Sequence, residues 1–525
     1  MPQHPKNQGF QCYDWYHYLW HLIAIRALRV VAGSDAQYQL EADAWDLLNL
    51  PEGVLPGTGE IIAMIDTGVN DKHPNLAPRI RPSVDFAAHP FGATYGPQPA
   101  PAGAPPNALS QAAAPQPMKR GLEEPLAASL VGAATWNWAR SKLDPAGAAL
   151  IDELRAGRGV KHRDAHISRQ RYSGHGTACA GLMVGAPPPE GPQELPDTPS
   201  SVDDGPVPYW GVAPGAEVLP IIVSAEPTAM QLIFALLYAR GKGVSVIHFP
   251  REAVDPRRAH KHSADLEESR YDSDARMKLA WDVFKRILEV VSDEIPVICA
   301  AGNNGYDHLI YPARKADANN GIISVGAVTY NAKRSSYSNY CRTGADCSVT
   351  IAAPSDDDEV YTRRQVRLDK ESPRWREHNF MLHLARNPGL EVTYSPQALV
   401  TTDVPGPRGY SEGILASLST EAVEEDDRAA LYALFGGTSG ASAIVAGAVA
   451  LLQSKARAAG GGPLDGGAVK DKVKASGRSQ VNWPWLVGSL TVLVDVETDK
   501  PNGEANIAFE RQFGGGVLDL HSLLQ

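Results

Sequence analysis

The stretch FGGTSGASAIVAGAVALLQ, Phe435 to Gln453, sets two serines in a glycine-rich turn that opens a long apolar helix. Two chemistries use such a turn. A phosphate could rest on the N–H groups of the loop and helix end. A serine nucleophile could use the same positive end to hold the oxyanion formed when it attacks a carbonyl. Serine alone is a weak nucleophile; it needs a base to take its proton and an acid to orient that base. Both stand upstream. AMIDTGVNDKHPNL ends an apolar run on Asp66, and RYSGHGTACAGLMVG sets His175 between two glycines at the start of an apolar helix. Singly, each is weak: a strand-end Asp is commonly a turn residue, and Ser439 alone could be an N-cap. Their joint occurrence at element ends, in the order Asp, His, Ser, is far more specific. The phosphate reading fails on spacing, because GGTSGAS lacks the lysine of a phosphate-binding loop.

The elements that must hold these residues follow from periodicity. The apolar runs IIAMID (61–66), EVLPIIV (217–223), VSVIHF (244–249), IPVICAAG (295–302) and GIISVGAV (321–328) read as buried parallel strands. Helical patterns lie between some of them, in AMQLIFALLYARGKG and MKLAWDVFKRILEVVSDE. This alternation predicts an α/β fold, a mostly parallel central sheet covered by helices on both faces, with ligands at the carboxyl ends of the strands. Three segments break the rhythm and read as insertions. They lie near 88–165 (Pro/Ala-rich, then helical), 186–208 (Pro/Glu/Asp-rich) and 356–396 (charged and Arg-rich).

The 525 residues carry a net charge of −11, which argues against nucleic acid as the main partner, since such binding needs basic surface to displace counterions. The N-terminus lacks the basic start and cleavage site of a signal peptide. LWHLIAIRALRVV, interrupted by His21, Arg26 and Arg29, is too short and polar to span a bilayer. A cytoplasmic protein without membrane contact is the expectation. The five cysteines, Cys12, Cys179, Cys299, Cys341 and Cys347, are too few for a disulfide scaffold, and separate thiols are favoured for Cys341 and Cys347. No histidine or cysteine pairs have zinc-site spacing, so no metal is expected.

Taken in order, IDTGVNDKHPNL, GHGTACAG, GVAPGAEV, VICAAGNNG, YPA, IISVGAV, GGTSGASAIVAGAVALL and FGGGVLDLHSLL give the chain a close resemblance to the subtilisin-like serine proteases, the subtilases of peptidase family S8. The resemblance implies a subtilisin-like three-layer fold for a catalytic domain over 43–525. An N-terminal extension, 1–42, precedes it, either a short propeptide or a docking segment. By the same resemblance Asp66 orients the imidazole, His175 is the base and Ser439 the nucleophile. Asn303 and the Ser439 N–H would form the oxyanion hole, while Ser442 would be a small packing residue.

Departures from the family's pattern are informative. Ala178 stands where a second histidine is usual, and Cys179 follows as in the proteinase K-like branch. That places a thiol beside His175 and implies sensitivity to mercurials; a small buried hydrophobe is the favoured reading over any catalytic role. Gly440 and Ile444 also depart from the pattern after the nucleophile. In VIHFPREAV, the residues Phe249, Pro250, Arg251 and Glu252 occupy the edge that would meet the substrate backbone, with Gly302 opposite. Proline removes a donor from that edge, which either alters or narrows docking or belongs to a loop that simply reorganises. Asn75 stands where calcium-binding members have Asp, which leaves structural calcium without motif support, and no cofactor is expected.

The function that follows is a serine endopeptidase acting on protein or peptide substrates through an acyl-enzyme. Its substrate choice is expected to be restricted or regulated, with the N-terminal extension or the insertions available to a regulatory partner. Two alternatives stand beside it: a peptide-maturing protease or transpeptidase, and a silent subtilase-fold binding protein. Product mass separates hydrolysis from ligation, and an active-site probe separates either from silence.

Overall fold

Along Ile61–Asp66 successive side chains enter two different hydrophobic layers, as the two-residue period of a strand requires. Ile62 and Met64 join one layer, Ala63 and Ile65 the other. A strand buried on both faces reads as a continuous apolar run, which is why it was visible in sequence. The computed structural model describes residues 19–32, 38–86, 93–94, 129–156, 169–188, 209–223, 227–253, 275–342, 347–356, 398–404, 431–486, 491–492 and 508–525.

The described strands are β1 (Leu28–Ala32), β2 (Tyr38–Ala42), β3 (Ile61–Asp66), β4 (Val84–Asp85), β5 (Ala93–Thr94), β6 (Glu217–Ile222), β7 (Val246–Phe249), β8 (Val297–Ala300), β9 (Ile322–Val328), β10 (Ile351–Pro354), β11 (Leu399–Thr402), β12 (Tyr432–Phe435), β13 (Gln480–Val481) and β14 (Thr491–Val492). One eight-stranded sheet has the order β10-β9-β8-β7-β3-β6-β4-β5. Every neighbouring pair in it is parallel except β4 with β5. From β3 the next strands, β4 and β5, lie at the far edge; β6 comes back beside β3, and β7 is then laid on the other side of β3. That reversal opens a crevice at the carboxyl ends of β3 and β7. All five sequence-predicted strands fall in this sheet.

The helices are α1 (Trp20–Ala24), α2 (Ala133–Ser141), α3 (Pro145–Arg155), α4 (Arg169–Val184), α5 (Ala229–Gly241), α6 (Ala275–Glu294), α7 (Gly437–Ala458) and α8 (Gly466–Ala475), with two short turns of helix near the C-terminus. Helices α4 and α7 cover one face of the sheet; α2, α3, α5 and α6 cover the other. This is the three-layer α/β architecture expected. By length and composition α7 could cross a bilayer, but it lies inside the core, where apolar flanks on every side need no lipid. Helix α4 begins upstream of His175 rather than at it, so the histidine sits within a helix and not at its start.

The described part of 19–42 packs into the main core. Leu19, Trp20, Leu22, Ile23 and Ile25 are buried in the same cluster as α7. The Trp20 ring meets Tyr330, Trp483 and Trp485 edge-on, at centroid distances of 5.3, 6.2 and 5.8 Å. Arg26 pairs with Asp519 at 3.0 Å, joining the two ends of the described chain. Residues 1–18 lie outside the described residues, as do most of the three proposed insertions. Helices α2 and α3, from the first of these, pack into the second hydrophobic layer.

Cys341 and Cys347 are joined in a disulfide, against the expectation of separate thiols. Arg511 explains their approach: its carbonyl accepts from the Cys341 N–H and its guanidinium donates to the Cys347 carbonyl. Disulfides persist mainly in oxidising compartments, so this pairing and the cytoplasmic expectation pull in opposite directions.

Truncating Trp20 to Ala should empty a fully buried site and lower stability by about 3–5 kcal/mol in urea unfolding. A loss below about 1 kcal/mol would mean that the N-terminal segment is not part of the cooperative core.

Candidate active site

Asp66 ends β3 with no exposed surface. Its Oδ2 accepts from Nδ1 of His175 at 2.7 Å. Its Oδ1 accepts from the Thr67 N–H at 2.7 Å, and Arg251 Nη1 stands 3.5 Å away. Burial alone would push this carboxyl up. The charge and hydrogen bond of His175, the Arg251 guanidinium and the Thr67 N–H together hold it below the ordinary carboxylate range. Because Nδ1 donates to Asp66, the neutral His175 ring leaves Nε2 as an acceptor. The Phe435 ring lies edge-on to the imidazole, 5.6 Å between centroids.

Glycine is what lets α4 come this close. A Cβ on Gly176 would meet the Gly68 carbonyl oxygen at 2.0 Å, so the residue after His175 must be bare for the helix to pack on the turn after β3. Two threonine hydroxyls from β11, Thr401 and Thr402, donate to the Ala178 and Thr177 carbonyls and fix the helix from the other side.

Ser439 lies in the first turn of α7, where the leading N–H groups have no intrahelical acceptor. Side chains from elsewhere cap them. Asn303 Oδ1 accepts from the Thr438 N–H at 2.8 Å and the Thr438 hydroxyl at 2.7 Å. Asp356 Oδ1 accepts from the Gly437 N–H at 3.2 Å and the Tyr337 hydroxyl at 2.6 Å. A carboxylate here is favoured by the positive end of the helix. Gly437 adopts φ +72°, a left-handed turn that favours glycine. With its oxygen anchored, the Asn303 amide nitrogen is turned to the same glycine.

The structure thus brings Asp66 and His175 into direct contact and sets Asn303 against the turn that carries Ser439. The Ser439 hydroxyl donates to the Pro250 carbonyl at 3.0 Å; among the described residues it has no hydrogen bond to His175. Of the proposed substrate edge, Phe249 is buried at the end of β7, Pro250 takes the serine hydroxyl, Arg251 reaches Asp66, and Glu252 is exposed. The Gly302 N–H donates to the Thr438 hydroxyl at 3.0 Å.

Two further polar residues were missed in the sequence reading, and one was misjudged. Ser442 is no mere spacer. Its hydroxyl donates to the Ser439 carbonyl at 2.9 Å and meets Nε2 of His248 at 2.9 Å. A serine hydroxyl already donating must accept, so the His248 ring carries its proton on Nε2. The signal was a histidine inside an otherwise apolar strand. Asp356 gave no such signal, because it stands at the edge of a charged stretch.

Asn75 commits its amide to the Ala186 carbonyl at 3.1 Å and its oxygen to the Tyr432 hydroxyl at 2.5 Å. Asp66, His175 and Cys179 place ligand atoms within 4.8 Å of one another. The first two are spent on each other, and burial with the Asp66 charge pushes the Cys179 thiol well above its ordinary range. The trio is therefore a hydrogen-bonded pair beside a buried thiol.

Residues 57–476 match the profile of the subtilase family, peptidase S8, and the chain belongs to that family. It is accordingly a subtilisin-like serine peptidase. No curated protein sequence matches it. Among solved structures, it is similar to a mutant of the protease domain of PatA, at 16% identity over 90% of this chain and 96% of that one, with a TM-score of 0.41. A lanthipeptide protease is similar at 14% identity over 89% and 88%, with a TM-score of 0.44. The epidermin leader peptide processing serine protease EpiP from Staphylococcus aureus is similar at 17% over 92% and 80%, with 0.42.

Two buried rings near the site make stability depend on pH. Burial lowers His248 to about 3, and burial lowers His73 to about 4 against a weaker opposing bond from the Leu431 carbonyl. Both titrate at 6.5 ordinarily, so between those values the unfolded chain binds more protons than the folded one. Their contribution is complete above about pH 6.5 and is lost as pH falls, by about 1.4 kcal/mol per unit of depression. The melting temperature should therefore drop steadily from pH 6.5 towards 4, and His248→Gln should flatten part of that slope. An unchanged slope in the variant would mean that His248 is not held neutral.

Proposed function

We propose that the protein is an endopeptidase in which Asp66, His175 and Ser439 act as a catalytic triad. The observation that carries this reading is the 2.7 Å bond from His175, on α4, to a carboxylate with no exposed surface at the end of β3. In the proposed reaction the Ser439 hydroxyl leaves the Pro250 carbonyl and turns to Nε2 of His175. Nε2 takes the proton as the serine oxygen attacks the scissile carbonyl. Asp66 fixes the ring's tautomer and stabilises the imidazolium without itself becoming protonated. The Asn303 amide and the Ser439 N–H receive the developing oxyanion, at a helix end whose dipole favours negative charge. His175 then protonates the leaving amine, and water hydrolyses the acyl-enzyme by the same route.

A restricted substrate set fits the edge at Pro250–Arg251. Proline offers no N–H to an incoming peptide strand, and its carbonyl is engaged by Ser439. A peptide-library digest read by mass spectrometry tests both parts. Wild-type protein should cut a narrow set of sequences and Ser439→Ala none. Asn303→Ala should lower kcat by about 10²–10³-fold, the usual cost of one oxyanion donor. Cleavage by Ser439→Ala, or an Asn303→Ala variant as fast as wild type, would contradict the assignment; broad cutting of unrelated peptides would remove the restriction alone.

A further inference from the structure

The end of β7 holds more than a substrate edge. Phe249 is tied into the sheet opposite Cys299, and the Ala253 N–H donates to the Tyr311 carbonyl at 3.0 Å, with Ala253 fully buried. The residues between them are thus fixed at both ends. From this tether the Arg251 side chain, only 15% exposed, brings Nη1 to 3.5 Å from Asp66 Oδ1. The other oxygen of the same carboxylate serves His175. One buried carboxylate therefore faces two cationic partners, one permanent and one that forms only when the imidazole takes a proton.

We propose that Arg251 is a positioning residue for the reaction: its guanidinium holds one oxygen of Asp66 and competes with the imidazole for that carboxylate, so that the site works at lower pH than it would with Asp66 and His175 alone. The inference rests on Asp66 and His175 acting as proposed above. A fixed positive charge on the carboxylate that serves the ring opposes a second one there. It resists protonation of the free enzyme, which would leave no base for the serine, and it also fixes the carboxylate's orientation.

The other described titratable groups that interact with the pair do not supply this effect. His248, on the strand that leads into Arg251, is held neutral by burial, and Cys179, on the helix of His175, is held as a thiol. Thr67 and Phe435 complete the neighbours and carry no charge. Among the described residues that interact with the pair, Arg251 is the fixed charge. Its position in sequence, directly after a proline that takes the serine hydroxyl, means that two consecutive residues contact two members of the proposed triad.

The test is the pH profile of kcat/KM across about pH 5–9 for wild type, Arg251→Met, Arg251→Gln and Arg251→Lys. The two uncharged variants should each move the acid limb upward by about one pH unit relative to their own alkaline plateau, whatever the height of that plateau. Arg251→Lys should restore the wild-type limb, which a purely structural role would not require. Uncharged variants whose limbs superpose on wild type, or a Lys variant displaced as far as Met, would overturn the proposal. Melting curves identify a variant that fails to fold, and the other uncharged variant then decides. If neither folds, Arg251 is a structural tie and the proposal falls. A wild type without hydrolysis overturns the reading of the site, and this inference with it. An active wild type whose limb ignores Arg251 overturns this inference alone.

Discussion

The buried carboxylate of Asp66 is the constraint on which the site depends. An ionised group without exposed surface is tolerable only when paired and hydrogen-bonded. Every device around it serves that end: the imidazole on one oxygen, the Thr67 N–H and Arg251 on the other. Removing one partner from such a pair typically costs about 3–5 kcal/mol, because the remaining charge stays buried. The fold therefore specifies where His175 must be. The bare backbone at Gly176, the threonine clamp from β11 and the end of β3 follow as the means of holding a helix against that carboxylate.

The first turn of α7 is organised by the complementary need. Its N–H groups demand acceptors, and Asn303 and Asp356 supply them from two other elements. Capping the helix and orienting the Asn303 amide are the same interaction: the oxygen that satisfies Thr438 leaves the nitrogen turned to the turn that carries Ser439. Ser442 and His248 continue this network beneath, through the Ser439 carbonyl. A polar network of this kind in a dry setting gives a single, rigid arrangement only when its members are matched.

Much of this was legible in sequence, and the reasons are physical. Strands buried on both faces are apolar runs, so the central sheet could be drawn without structure. Asp66, His175 and Ser439 stood out because polar residues flanked by glycines sit at the ends of such runs. The rest was hidden because it depends on contacts far apart in the chain. Nothing local in VIHFPREAV shows that Arg251 turns inward to Asp66, or that Pro250 accepts from Ser439. Ser442 looked like a small packing residue until His248, from a strand 194 residues away in sequence, was placed beneath it. The burial of 19–28 was equally invisible, since an amphipathic start can dock on its own protein or on another. Cys341 and Cys347 are brought together by Arg511, 164 residues beyond Cys347, which no spacing rule records.

The account turns on Ser439 being a nucleophile activated by His175. The most direct measurement is intact-mass and peptide-map analysis of the protein after exposure to a fluorophosphonate, beside a His175→Ala variant. The account predicts a single adduct on Ser439 in the wild type, and loss of that adduct in the variant. An adduct on Ser442, labelling that persists without the imidazole, or no labelling of folded wild-type protein would contradict it.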